Sequence, residues 1–118
     1  MKIKMQPHAS HTVPSESKAI ASLVKNQILL ADATAAVILF GSRARGDAEN
    51  ESDWDFLVLT SQTDIDVLSD KLRKIILREV ELKYNVAISL MVKNADVWQS
   101  DYAVTNIYES INEEGISL

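Results

Sequence analysis

Asp53 and Asp55 stand two residues apart at the start of the run Asp53-Trp54-Asp55-Phe56-Leu57-Val58-Leu59-Thr60. On a strand, residues at this spacing leave the same face, so the two carboxylates would sit roughly 6.6 Å apart along it. Two hard oxygen ligands arranged in that way suit Mg2+, which favours one or two carboxylates together with substrate phosphates and water over a closed protein cage. About ten residues upstream, the apolar run Ala35-Ala36-Val37-Ile38-Leu39-Phe40 stops at Gly41-Ser42. A glycine there lets backbone N–H groups approach a phosphate closely, a helix starting at the same point adds its positive end, and the Ser42 hydroxyl supplies a further donor. Gly-Ser alone is only a turn, and Asp-x-Asp alone is common surface chemistry. Together, at the ends of two apolar strands, they predict a site for a nucleotide and a divalent cation, with the metal clamping phosphoryl transfer.

Other charged residues are less decided by their type and spacing. Arg43 and Arg45 flank the expected phosphate loop and could meet phosphate, but pairing with Asp47, Glu49 or Glu51 on the surface explains them equally well. His8 and His11 lie three apart in a polar lead-in and read as solvated side chains rather than as metal ligands. The chain has no cysteine, so disulfides, thiolate metal sites and cysteine nucleophiles are excluded, and a metal would have to bind oxygen or histidine.

The elements that must position these residues follow from periodicity. Residues 1–14 lack a period and carry Pro7 and Pro14, which predicts an irregular arm before a single domain over 15–118. Ile20, Leu23, Val24, Ile28 and Ala31 recur at helical spacing, with Ser15 or Ser17 available as N-cap, predicting a helix to about residue 33. Residues 35–40 read as a strand buried on both faces, 41–52 as a loop and 53–60 as a second strand. Ile65, Leu68, Leu72, Ile75, Ile76 and Val80 mark one face of a helix over about 64–83, whose lysines and arginines form a solvated face. Residues 86–92 alternate as a third strand, and Asn94 can cap a short turn that contains Trp98. Thr105 can cap a helix over 106–114 that Gly115 ends. The order α-β-(loop)-β-α-β-α is that of an α/β (α+β) domain with a small mixed sheet flanked by helices.

With 118 residues, 47% hydrophobic and 25% charged, the chain has the size and balance of one globular domain. The formal net charge of −5 argues against a surface that neutralises a nucleic-acid polymer, while a small nucleotide held by a cation remains compatible. No stretch reaches the length of a membrane span, and residues 1–8 lack the apolar run of a secretory signal, so the expected location is the cytoplasm.

At residues 39–57 the chain resembles the minimal nucleotidyltransferases of the DNA polymerase β superfamily. Gly41-Ser42-Arg43-Ala44-Arg45-Gly46 followed by Ser52-Asp53-Trp54-Asp55-Phe56 is similar to their signature Gly-Ser-x-Ala-Arg-Gly, a short spacer, then Ser-Asp-x-Asp-Leu. A terminal Ile-x-x-Glu-Gly-Ile segment, Ile111 to Ile116, is similar to the ends of such proteins. The resemblance implies the nucleotidyltransferase fold, with Gly41 and Ser42 holding the triphosphate and Asp53 and Asp55 holding Mg2+. It also implies transfer of a nucleoside monophosphate from a nucleoside triphosphate, ATP being the expected donor, to an acceptor hydroxyl.

Active family members add a third carboxylate on the next strand, where it helps hold metal and serves as base. In Val86-Ala87-Ile88-Ser89-Leu90 the expected position carries Ala87, with Ser89 on the same face; Glu79 or Glu81 would have to substitute from the preceding helix. Nor does the chain hold residues for the helical domain with which larger members complete an acceptor pocket. A small helical partner protein, sometimes a toxin ribonuclease, or self-association is therefore implied. Two readings follow: a nucleotidyltransferase acting on a partner protein or small hydroxyl compound, or a catalytically weakened member that serves as a nucleotide-binding or antitoxin-like module.

Overall fold

The computed structural model of the chain describes residues 17–118. The arm over 1–14, with His8, His11 and the candidate cap Ser15, lies outside the described residues. Helix α1 (Lys18–Ala31) leads into strand β1 (Ala36–Phe40), the short helix α2 (Ser42–Arg45) and strand β2 (Trp54–Thr60). Helix α3 (Ile65–Ile76) continues through a π-helical turn, Leu77–Glu81, into α4 (Leu82–Tyr84). Strand β3 (Ile88–Asn94), helices α5 (Ala95–Asp101) and α6 (Asn106–Glu114) and strand β4 (Ile116–Ser117) complete the order. No helix among the described residues is long and apolar enough to cross a membrane.

The sheet order is β3-β2-β1-β4. β1 runs antiparallel to β2 and to β4, whereas β3 is parallel to β2, giving a small mixed sheet flanked by helices. Alternation along β2 divides its side chains between two apolar layers. Trp54, Phe56 and Val58 pack with Val24 and Ile28 of α1 and with Leu68, Leu72 and Ile76 of α3. Leu57 and Leu59 face the other way, against Ile38, Trp98 and Ile111. Both faces are covered, which is why 35–40 and 56–59 read as continuous apolar runs.

The expected helix over 64–83 is a composite, and its buried residues supply the reason. Leu68, Leu72, Ile76 and Val80 follow one another at four-residue steps. In an α-helix each such step overshoots a full turn by roughly 40°, so the row drifts off the core. The wider π-helical turn at Leu77–Glu81 takes up the drift and returns Val80 to full burial. Three other expectations shift. The strand expected at 86–92 spans Ile88–Asn94, because Asn85 takes the left-handed conformation at φ 54° and ends the helix just before it. The turn around Trp98 is the seven-residue helix α5, capped by Asn94 Oδ1, which accepts from Asp96 N at 3.0 Å and Val97 N at 3.2 Å. The terminal segment beyond Gly115 adds strand β4 on the far side of β1.

Caps behave as the sequence suggests at α6, where Thr105 Oγ1 accepts from Tyr108 N at 3.3 Å. At α1 they do not: Ser17 occupies the cap position without a side-chain cap hydrogen bond, and among the described residues its buried hydroxyl has no partner. The opposite end of α1 carries a buried carboxylate. Asp32 accepts from Thr34 N at 3.1 Å, Thr34 Oγ1 at 2.7 Å and Thr60 Oγ1 at 2.5 Å, tying α1 to the end of β2. Burial alone would push this carboxyl up, but the hydrogen bonds from Thr34 and Thr60 outweigh it and hold the group below the usual range. A lowered carboxyl contributes stability that is present above its unfolded value, 3.8, and is lost as pH falls through the lower folded value. Asp32→Ala should cost about 1–3 kcal/mol at neutral pH, since the buried Thr60 hydroxyl loses its acceptor and keeps only the bond it accepts from Gln62 N at 3.1 Å. In denaturant unfolding at pH 7 and near pH 3, the gap between the two proteins should narrow in acid.

Candidate active site

β1 and β2 are joined at the end of the sheet that holds the sequence motif. Phe40 is the register partner of Asp55 across the antiparallel pair, which brings the chain reversal at Gly41 directly against that carboxylate. Gly41 has φ 73° and ψ −160°, a conformation that L side chains rarely adopt. A Cβ built on it would stand 2.5 Å from Asp55 Oδ2. The glycine is therefore required twice, once by the backbone and once by the carboxylate it abuts. Beyond it, Gly41 O accepts from Ala44 N at 3.0 Å and Arg45 N at 3.1 Å to open α2, so the first amides of that turn have no carbonyl ahead of them.

Asp55 is half-buried and Asp53 exposed, and both lie on the β2 face that carries Leu57 and Leu59. Burial is the larger cause pushing the Asp55 carboxyl above its ordinary value; the negative charge of Asp53 adds to it, and Arg45 partly offsets it. For a raised carboxyl the sign is opposite to that of Asp32. Its ionisation costs nothing below the unfolded value of 3.8, and the cost grows as pH rises through the higher folded value. In metal-free buffer at pH 7, Asp55→Asn should consequently melt at the same temperature as the parent or higher. A scanning-calorimetry loss of several degrees would give Asp55 a structural role instead.

The two arginines, alike in the sequence, separate in the fold. Arg43 is 6% exposed. Its Nε and Nη2 donate to Ser52 O at 3.2 and 2.9 Å, Nη2 also donates to Asn50 O at 3.1 Å, and the guanidinium lies 3.6 Å from the centroid of the Trp54 ring. None of its expected surface partners is used; it fastens the 47–53 loop so that Asp53 enters β2 in register. Arg45 is exposed and pairs with Asp47 at 3.1 Å and with Glu114 of α6 at 3.0 Å. Pairing with Asp47 was one of the open alternatives, whereas Glu114, 69 residues away, had no signal in the sequence.

The third strand refines the position of the missing acid. In the β2–β3 register Asp55 is paired with Ser89 and Trp54 with Ile88, and Trp54 N donates to Ala87 O at 3.0 Å. Ala87 thus precedes the strand beside Asp53, and the position directly beside Asp55 is that of Ser89. Neither helical glutamate reaches the pair: Glu79 is held by Arg78 and Lys83, each at 2.9 Å, and Glu81 accepts from Ile88 N at 3.3 Å. Among the described residues no three acidic or histidine side chains come together as a metal cage. The donor set, two carboxylates on one strand face with Gly41 packed against one of them, fits a divalent cation whose remaining ligands are phosphate and water.

This geometry agrees with comparison to known proteins. Residues 18–118 match the family model described as "Polymerase beta, Nucleotidyltransferase". The chain belongs to that family and is a minimal nucleotidyltransferase of the polymerase β superfamily. Two similar proteins come from Methanocaldococcus jannaschii. "Putative protein adenylyltransferase MJ0604" is 34% identical over 79 residues, which cover 67% of this chain and 72% of that protein. "Putative protein adenylyltransferase MJ0141" is 42% identical over 64 residues, which cover 54% of this chain and 64% of the relative.

Proposed function

We propose that the protein transfers a nucleoside monophosphate from a nucleoside triphosphate, ATP in the first instance, to a hydroxyl on a partner protein or small molecule in the cytoplasm. The observation that carries this reading is the Gly41 reversal packed against Asp55, which sets the turn that opens α2 against the β2 face bearing the two carboxylates. Gly41 and Ser42 would receive the triphosphate, and exposed Arg45 can exchange its acidic partners for phosphate oxygens. Arg43 contributes by holding the loop, not by touching the nucleotide.

Asp53 and Asp55 would hold Mg2+, which when bound supplies charge neutralisation for the phosphates and the leaving pyrophosphate. The acceptor oxygen forms a bond to the α-phosphorus, the bond to the α,β-bridging oxygen breaks, and pyrophosphate leaves with that electron pair. Ser89 cannot take the acceptor proton as a carboxylate would, so the proton passes to water, and the chemical step should be slow. The names of the two archaeal relatives favour a protein as acceptor.

One observation favours a second reading. With Ser89 beside Asp55 and Ala87 beside Asp53, the site has two acids, which suits a nucleotide-binding or antitoxin-like module paired with a small helical protein. Isothermal titration tests the part common to both readings: ATP should bind with Mg2+ present and far more weakly in EDTA, and equal heats in the two buffers would remove it. Incubation with labelled ATP, Mg2+ and candidate helical partners separates the readings, since only the first leaves label on the partner.

A further inference from the structure

The far end of the chain is carried to the end of β1 that leads into Gly41. Ile116, 3% exposed, is the register partner of Leu39, two residues ahead of that glycine. Gly115 has no room for a side chain, since a Cβ there would stand 2.5 Å from Ile111 O and 2.9 Å from Ile38 Cγ2. These two residues anchor the end of α6, and with it Glu114, whose Oε2 accepts from Arg45 Nη1 at 3.0 Å. Arg45 in turn closes the short turn that opens at Gly41, its amide donating to Gly41 O at 3.1 Å, and its charge reaches the Asp55 carboxyl. The two acids on Arg45 are not equivalent. Asp47 lies on the loop, its side chain is 61% exposed, and it takes only Nε, at 3.1 Å, whereas the anchored Glu114 is 39% exposed. Among the described residues no hydrogen bond uses Nη2, which shares one edge of the planar guanidinium with Nε. An edge of that kind meets a phosphate with two parallel bonds, one more than Asp47 makes there.

We propose that Glu114 is a positioning residue for the triphosphate: it keeps hold of Arg45 by Nη1 while a phosphate of the bound nucleotide displaces Asp47 from the Nε–Nη2 edge. The inference rests on the nucleotidyltransferase reading and adds to that site a residue from the far end of the chain. It also fixes a pattern of signs. Removing either acid deletes one negative charge near an anionic ligand, which by itself favours binding in both cases. If Asp47 competes with phosphate and Glu114 orients the arginine, the two removals act in opposite directions, and both act only through Arg45.

The test is isothermal titration of the full chain and its variants with Mg·ATP and with Mg·tripolyphosphate at physiological ionic strength. Asp47→Ala should bind both ligands about two- to fivefold more tightly and Glu114→Ala about two- to fivefold more weakly, the range set by one exposed ion pair. Glu114→Gln keeps an acceptor for Nη1 and should recover part of that loss. Arg45→Ala should bind more weakly than the parent, and adding Asp47→Ala or Glu114→Ala to it should change nothing further. All three side chains are exposed, so melting temperatures should stay close to that of the parent while the affinities separate. Parental or tighter binding by Glu114→Ala, no gain in Asp47→Ala, or either effect persisting without Arg45 would overturn the proposal. If Arg45→Ala binds Mg·ATP as the parent does, this inference falls and the nucleotidyltransferase reading stands; if the parent itself binds no Mg·ATP, both fall.

Discussion

A Gly41→Ala protein should fold yet bind Mg·ATP at least about tenfold more weakly, a loss of 1.4 kcal/mol or more. The added methyl group meets Asp55 Oδ2 at 2.5 Å, and Asp55 Cγ lies only 3.4 Å away, so the carboxylate must swing off the space it shares with the backbone. The backbone objects independently, because φ 73° at this reversal is strained for any L side chain. Strain of that kind costs about 1–3 kcal/mol, which lowers the melting temperature without preventing folding. Calorimetric titration of the folded variant isolates the binding loss from the stability loss. A Gly41→Ala protein with parental Mg·ATP affinity would contradict a nucleotide at this turn, and a fully functional Gly41→Val protein would do so more strongly.

Ser89→Asp should produce the largest gain. β3 lies about 4.8 Å from β2, and Ser89 is the partner of Asp55, so the new carboxylate would join Asp53 and Asp55 on one face. Without metal, three acids repel one another, and the variant should melt below the parent with at least one carboxyl pushed up. Adding Mg2+ should restore the loss, because binding to the folded state alone stabilises it, and the metal-dependent rise in melting temperature should exceed that of the parent. Ala87→Asp, beside Asp53 but ahead of the strand, should show a smaller response. Labelled ATP should then reveal transfer in Ser89→Asp at or above the parental rate. Unchanged Mg2+ affinity in Ser89→Asp, alongside a loss in Asp53→Asn, would place β3 away from the metal.

Much of the candidate site's geometry was readable along the chain because its parts are local. Gly41, Ser42, Asp53 and Asp55 occupy one stretch of fifteen residues, and β-alternation alone puts the two carboxylates on one face. The apolar runs declared β1 and β2 for the same reason: strands covered on both faces need no polar side. The roles of the arginines were not readable, because a guanidinium's partners depend on where the chain turns back. Arg43 finds carbonyls seven and nine residues away, and Arg45 finds Glu114 from the far end of the chain.

What the amino-acid sequence determined by itself was the fold class, the strand ends that carry the candidate site residues and the absence of a third acid at residues 86–92. What tertiary structure decided was registration. A period of two cannot distinguish Ala87 from Ser89, since both fall on the same face; only the β2–β3 hydrogen bonds set Ser89 beside Asp55. The same holds for the π-helical turn and for β4, which exist because Val80 must reach the core and because Ile116 and Ser117 find an open edge on β1. Sequence patterns specify which side of an element is apolar. The offset between elements is set by pairing and packing across the sheet, and that offset chose the residue standing beside Asp55.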